Sequence, residues 1–425
     1  MNTITSRRIR EKISEYKGES IFTDRTQFST RHIPEKMLWD LREYEMDMIS
    51  DSMAWLFNEE EKIEAPDLDL FVYGPPSTGK THAAKSILHG FQEEAQKSMY
   101  PAKYVYVNLS NMTITRAFYH ISKAFIDDMP RSGVSFSSMR DMVTEQMMEN
   151  HQRACFVCDE IDKMNATSQY PDPVDDLIRA LSDIRTDTDI SLSVITIANK
   201  YNTIKELTAP TSSRYSPMEL HFDQYTKEQV TEILYDRCEK GFIEDAIDQD
   251  NVQNLAGKIW DTTKDLRSAL RVLSRAGQNA QQNGRMVVGW TDIQRSLEMV
   301  ELEMLREVLS SLNDHELLVL RAVTVASMDN PGGVPTGMMN SIYINLCKAN
   351  RMDPLSSRHI QQHIIPRMEK EGIITSEVKS LGYPQGRRSF YFIPPTEQDN
   401  LDVITKSDMY DRNLEHDISF MEDKT

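Results

Sequence analysis

The octet GPPSTGKT (Gly74, Pro75, Pro76, Ser77, Thr78, Gly79, Lys80, Thr81) meets the spacing G-x-x-x-x-G-K-[ST] at every defined position. It follows the apolar run LFVY and opens the helical pattern that begins at His82. Glycines let backbone N–H groups curl around phosphates, and the following helix adds the positive end of its dipole. Lys80 then reaches the β- and γ-phosphates and Thr81 ligates Mg²⁺, so ATP with Mg²⁺ is the expected ligand. Further on, the run CFVC ends in Asp159-Glu160, two carboxylates at the carboxyl end of a buried strand, where ligands of parallel sheets collect. Asp159 is suited to hold Mg²⁺ and Glu160 to polarise the attacking water. Taken alone such a pair is more often a solvated loop; the upstream P-loop decides for the functional reading. Asp162 reads as a surface or capping residue. The run VITIA ends in Asn199, an amide at the same sheet edge that could orient water or bind a γ-phosphate. Finally, Asp265 is placed to N-cap RSALRVLSRA, with Arg267 in the first turn. A cation there works against the helix dipole, so Arg267 reads as a phosphate contact. Arg271 and Arg275 read as solvated charge on one face.

Positioning these groups takes a set of parallel strands with crossover helices. Short apolar runs alternate with amphipathic stretches from about Leu68 to Phe222: LFVY, YVYV, CFVC, VITIA and MELHF. From Lys227 to Arg275 the period becomes that of helices alone, which predicts a small helical domain. A long polar helix over about 291–309 leads to a third segment. There the pattern is three helices (Asp314–Ser327, Gly337–Asn350, Ser356–Glu371) and a hairpin around GYPQGRR, the outline of a winged helix.

Composition excludes several classes. With 39% hydrophobic and 27% charged residues in a chain of 425, two or three domains are expected. No apolar run approaches the roughly 20 residues of a membrane span, and the basic start MNTITSRRIREKISEYK lacks a secretory apolar core, so a cytoplasmic protein with no membrane partner is expected. Four cysteines are too few for a disulfide framework. Cys155 and Cys158 have CxxC spacing, but residues three apart on a strand point to opposite faces, which argues against a shared metal. The net charge of −18 opposes bulk coating of nucleic acid, yet Leu312 to Ile393 carries nine Lys/Arg against seven Asp/Glu.

That locally basic segment permits nucleic-acid binding. Its third helix presents Ser356, Ser357, Arg358, His359, Gln361 and Gln362 near the end that would enter a major groove. The wing offers Lys379, Gln385, Arg387 and Arg388 for phosphates or the minor groove. The competing reading is the polar surface of a protein-binding winged helix.

Taken in order, P-loop, acidic pair, strand-end Asn and lid Arg resemble the AAA+ ATPases. More narrowly, the chain is similar to the archaeal origin-recognition and cell-division-control replication initiators over nearly its whole length. The likeness includes SIFTDRTQFSTRHIPEKMLWDLREYE, VYGPPSTGKT, DEID, TIANKYN, DLRSALRVLSRAG and LSSRHIQQHIIPRMEKEGII. The resemblance implies an α/β AAA+ P-loop domain with a parallel sheet (1–225), a helical lid domain (226–300), a C-terminal winged-helix domain (301–395) and an acidic tail (396–425). It implies that Asn199 and Arg267 are phosphate sensors, that Arg42 and Tyr225 lie beside the nucleotide, and that 108–148 holds a helical insertion touching duplex DNA. Two positions depart from the family pattern: Lys264 stands where Gly usually precedes Asp265, and the usual His before Arg42 is absent. Arg214, in SSRYSP, matches a finger acting in trans in some relatives, but many archaeal members lack it, so no such role is assigned. The implied function is replication initiation: binding of double-stranded origin DNA, control by slow, switch-like ATP hydrolysis, recruitment of the replicative helicase, and self-association on DNA left open. The alternatives are a signalling or transcriptional ATPase whose winged helix binds promoters or protein, and a clamp-loader-like assembly factor.

Overall fold

The computed structural model describes residues 20–57, 69–97, 102–150, 153–188, 191–330, 332–370, 372–380 and 387–393. The acidic tail, the basic first residues and Gln385 lie outside them. Contacts divide the chain into two units, Met1–Ile293 and Gln294–Thr425.

In the first unit the five apolar runs become β1 (Leu70–Tyr73), β2 (Ala102–Asn108), β3 (Arg153–Asp159), β4 (Leu192–Ala198) and β5 (Met218–His221). They pair in parallel in the order β2-β3-β4-β1-β5. β3 and β4 are buried along almost their whole length, as strands covered on both faces must be. One face packs on α1 (Glu35–Ala54) and α2 (Lys80–Ala95) through Leu38, Met46, Ile49, Ala84 and Ile87. The other packs on α3 (Ile114–Ser122), α4 (Phe136–Glu149) and α5 (Pro173–Thr188), with Phe118, Met139, Val143 and Leu181 at its centre. Cys155 belongs to the first core and Cys158 to the second, and both thiols are free, as strand alternation required. Because the strands are parallel, the segments after β1, β3 and β4 emerge on one edge. They carry the P-loop, Asp159-Glu160 and Asn199.

A short helix α6 (Ala209–Arg214) precedes β5, and then come α7 (Lys227–Gly241), α8 (Gln249–Asp261) and α9 (Leu266–Gln282). Thr226 and Gln229 form a reciprocal capping box that fixes where α7 starts. The chain's first described residues return to this helical lid. Thr23 N–H donates to Gly241 O at 3.0 Å and Ile243 N–H to Ile21 O at 3.0 Å. Phe22 stacks on Phe242 with ring centroids 5.2 Å apart, and Phe28 lies 4.6 Å from the same ring. Two glycines make room: a Cβ on Gly241 would lie 2.5 Å from the Phe28 ring, and one on Gly277 within 2.5–2.8 Å of Phe22 and Phe242.

The second unit has its own core, built from α11 (Asp314–Asp329), α12 (Thr336–Ala349), the segment 357–370 and the hairpin β7 (Thr375–Ser380) and β8 (Arg387–Phe392). The preceding α10 (Trp290–Ser311) crosses the boundary between the units. Sequence reading missed one strand, β6 (Val334–Pro335), which pairs antiparallel with β8 and makes the wing a three-stranded sheet. Two residues long, preceded by Gly333 and itself containing Pro335, it has no period to read. The third helix is also not uniform. Ser357–His359 (α13) passes into a π turn, Ile360–Ile364, before Ile365–Lys370 (α14). Ile365 N–H reaches back to Ile360 O, and the next residue, Pro366, brings no N–H at all. Widening the helix by one residue keeps the proline ring off the preceding turn's carbonyl.

Gly277→Ala is expected to destabilise the protein by about 1–2 kcal/mol, because overpacking the three-phenylalanine cluster outweighs the roughly 1 kcal/mol of helix propensity gained. Urea unfolding followed by lid-sensitive fluorescence measures it; a net gain would mean the rings yield freely.

Candidate functional site

Lys80 is the first residue of α2 and 6% exposed. Its ammonium donates to Gly74 O at 2.8 Å and Pro75 O at 2.6 Å. Burial pushes its pKa down to about 8, with Asp159 pulling the other way. Gly74 (φ +144°) runs against β5's exit: a Cβ there would lie 2.2 Å from Phe222 O. Gly79 (φ +96°) is the left-handed residue before the helix, and its Cβ would lie 2.8 Å from Tyr225 Oη. Neither position accepts a side chain, which is why glycine stands at both.

Asp159 ends β3 and is 1% exposed. Burial raises its pKa, while Tyr106 and Thr81 counteract with hydroxyl hydrogen bonds to Oδ2 at 2.7 and 2.8 Å. Oδ1 accepts from Glu160 N–H at 2.8 Å. Two hard oxygen donors, Thr81 Oγ1 and Asp159 Oδ2, therefore stand together. That suits Mg²⁺, which takes one or two protein ligands and completes its shell with phosphate and water. Among the described residues no group of three or more His, Cys, Asp or Glu is gathered around a metal position.

Glu160 has φ +55°, a left-handed conformation that costs a non-glycine residue on the order of 1 kcal/mol. Burial opposes its ionisation, but Lys163 Nζ at 2.6 Å and Asn108 Nδ2 at 3.3 Å outweigh it and hold the carboxyl below its ordinary range. Asn108 arrives by register, paired with Asp159 across β2 and β3. Asp162, read as a surface group, is half-buried and its Oδ2 accepts from Asn199 N–H at 3.3 Å, so it ties the β4 exit to the β3 exit.

From the lid, Asp265 N-caps α9 as expected, accepting from Arg267 N–H. The same carboxylate accepts from Ser77 Oγ, and Arg267 Nε donates to Ser77 Oγ at 2.9 Å. Burial works against the Asp265 charge, but Ser77 and Arg267 hold its pKa below the usual value. Lys264, the departure from the family's glycine, has φ +51°, which explains why glycine suits the position. Its ammonium lies 4.8 Å from the Trp260 ring, and Trp260 Nε1 donates to Tyr225 O.

These groups surround a cleft of about 500 Å³, in the range of small-ligand sites. Pro76 to His82, Asp159, Glu160, Asn199, Tyr225 and Arg267 line it. Arg42 is 5% exposed, stacked 4.3 Å from the ring of the cleft-lining Tyr225 and bonded to Glu45 and to Asp223 O. Its backbone leaves helical geometry inside α1 (φ −139°, ψ 31°) to make those bonds. Sequence reasoning missed a wall made by Ser29, Thr30, Arg31, Pro34, Leu38, Ile233 and Arg237. Only Arg237 left a signal, an Arg on the face of α7 otherwise filled by Val230, Ile233, Leu234 and Cys238. Arg214 is half-exposed and paired with Asp183 of α5.

On the second unit, Arg358, His359, Gln361 and Gln362 are exposed, and Arg358 donates to Gln362. Ser356 serves as the N-cap, accepting from His359 N–H, and Ser357 Oγ accepts from Asn340 and Gln361, so both hydroxyls work within the domain. His359 and His363 lie with rings 4.7 Å apart, which adds His363 to that surface. Lys379 is turned back on the wing, donating to Gly332 O and lying over Phe390 and Phe392. Arg387 and Arg388 open β8 opposite Ser380 and Lys379.

A P-loop on a parallel sheet, a helical lid contacting it and a winged helix define the AAA+ fold followed by a winged-helix domain. Family models agree: an AAA domain over 68–202, a Cdc6 AAA+ ATPase-type lid domain over 231–298 and a CDC6 C-terminal winged helix domain over 307–403. The chain is similar to the archaeal origin-recognition and cell-division-control replication initiators along most of its length. It is 27% identical over 340 residues to an ORC1-type DNA replication protein of Thermococcus kodakarensis, covering 78% of this chain and 80% of that one. A namesake from Cenarchaeum symbiosum is 26% identical over 388 residues, covering 89% and 90%. In fold it is similar to the Aeropyrum pernix Orc1 protein solved in complex with DNA (TM-score 0.74, 23% identity, 92% of this chain and 98% of that one). No described helix is long and apolar enough to cross a membrane.

Gly74→Ala is expected to cost roughly 3 kcal/mol, from left-handed strain plus a clash with backbone. Thermal unfolding measures this; an unchanged midpoint would mean the loop and β5 separate easily.

Proposed function

We propose that this chain is a replication initiator that binds origin DNA under the control of bound ATP and helps recruit the replicative helicase, with slow hydrolysis as its switch. The observation that carries the reading is the Ser77–Asp265–Arg267 cluster, through which the lid is tied to the phosphate-binding loop itself. A change at the γ-phosphate position alters what Arg267 and Ser77 can bond to, and the lid's position follows.

Lys80 and the P-loop N–H groups would bind the phosphates, and Thr81 and Asp159 would hold Mg²⁺. When bound, Mg²⁺ neutralises charge on the β- and γ-oxygens. Glu160 orients and polarises the attacking water, and Asn199, on the cleft at the exit of β4, is the amide suited to bond that water or the γ-phosphate. Glu160 must first leave Lys163 and Asn108, which accords with slow turnover. For DNA, Arg358, His359, Gln361 and Gln362 have the chemistry and exposure of base-edge readers. A second basic surface supports the reading: Arg116, His120, Lys123 and Arg131 line a concavity at α3 whose lining holds no carboxylate. That concavity falls in the segment expected to touch duplex DNA, and its charge suits phosphates.

Lys80→Ala is expected to weaken ATP binding at least about 100-fold, while Glu160→Gln keeps affinity and lowers turnover by about 100-fold or more. Calorimetry and phosphate release measure the two, and normal affinity in the lysine variant would sink the site assignment. Replacing Arg358 and Gln362 by alanine in the full chain is expected to weaken origin binding by about 5- to 150-fold and to flatten sequence preference. Footprinting of genomic fragments over a salt series reads it; protection confined to promoters would overturn the initiator reading.

A further inference from the structure

Arg237 lies on the cleft wall in unusual surroundings. It lies on α7 one turn beyond Ile233 and is 3% exposed. Nη2 donates to His32 O at 3.3 Å, but Nε and Nη1 have no hydrogen-bond partner among the described residues. Its neighbour in sequence, Asp236, is engaged by Lys240. A buried guanidinium with two unmet donors costs stability that an apolar side chain of similar length would not. Such a group is expected where a partner arrives from outside the fold.

The cleft supplies the direction, because Arg237 is on its wall. The phosphates are already provided for by the P-loop and by Arg267, which bonds Ser77. Leu270, one turn farther along α9, and Ile233, Pro34, Met37 and Leu38 are apolar, and they share the wall with the polar Ser29, Thr30 and Arg31. That mixture of apolar and hydrogen-bonding groups suits a base and sugar.

We propose that Arg237 donates hydrogen bonds from Nε and Nη1 to uncharged acceptors on the nucleoside part of the bound nucleotide, a ring nitrogen or a ribose oxygen. This rests on reading the cleft as a nucleotide site. It makes the lid a reader of the nucleoside through α7 and of the phosphates through α9. The third donor, on His32 O, joins that contact to the N-terminal segment which forms the facing wall.

The test is calorimetric binding to the full chain, with Mg²⁺ present, of ATP, ADP, ribose 5-triphosphate and inorganic tripolyphosphate. Arg237→Met keeps the length of the stem and removes the donors. It is expected to weaken ATP and ADP alike by about 10- to 100-fold, the loss of hydrogen bonds to a charged donor, while tripolyphosphate affinity stays the same. Without nucleotide its melting temperature is expected to equal or exceed that of the unmodified chain, the opposite of what a purely structural arginine gives. A penalty retained with ribose 5-triphosphate places the acceptor on the sugar; a penalty lost with it places the acceptor on the base. An equal loss for tripolyphosphate, unchanged ATP affinity, or a lowered melting temperature with uniform weakening of every ligand overturns the proposal. Lys80→Ala run alongside separates the two readings: if it binds ATP as tightly as the unmodified chain, the nucleotide site itself is wrong, whatever Arg237 does.

Discussion

Burying the charge of Asp159 is the constraint around which the site is organised. A carboxylate that is 1% exposed at the end of a central strand is tolerable only if donors surround it. They come from three elements: Thr81 from the helix after the P-loop, Tyr106 from the neighbouring strand, and the Glu160 N–H of the left-handed residue that follows. Each donor in turn fixes something else. Thr81 aligns α2 with β3, Tyr106 requires β2 to lie next to β3, and the turn at Glu160 directs the second carboxylate to Asn108 and Lys163. A parallel sheet is what brings these pieces to one edge, since every strand then ends on the same side.

What the amino-acid sequence made legible follows from local rules. The P-loop needs consecutive residues, strands show as short apolar runs, and Asp265 announces itself as a cap before a helical pattern. The five strands were therefore read within a few residues. The groups that were missed act across space. Tyr106 and Asn108 acquire meaning only through the β2/β3 register, and Asp162 only because the β4 exit comes within 3.3 Å. Arg42 was read from resemblance, and its stacking on Tyr225, which ties it to the cleft wall, exists only in three dimensions. β6 has too few residues for any period, and the π turn is a response to Pro366 rather than a pattern in side-chain polarity.

The two lid arginines illustrate how context sets the role of one residue type. Arg267 is half-exposed and shares its environment with a carboxylate and a hydroxyl, so its cost in the fold is small. Arg237 is enclosed and largely unmet. Lys264 is an intermediate case: it accepts backbone strain at φ +51° and recovers part of it by lying over Trp260.

The clasp between the first described residues and the end of α7 also has a consequence for how the chain is made. Thr23 and Phe242 bond to each other across 219 positions of sequence. During synthesis the N-terminal segment has no docking surface until the ribosome has delivered the first lid helix, by which time the whole parallel sheet has emerged. The sheet can therefore assemble while Phe22 and Phe28 are still exposed, and the wall they anchor can form only once α7 has been made. A nascent chain can thus hold its phosphate loop before the cleft around it is complete.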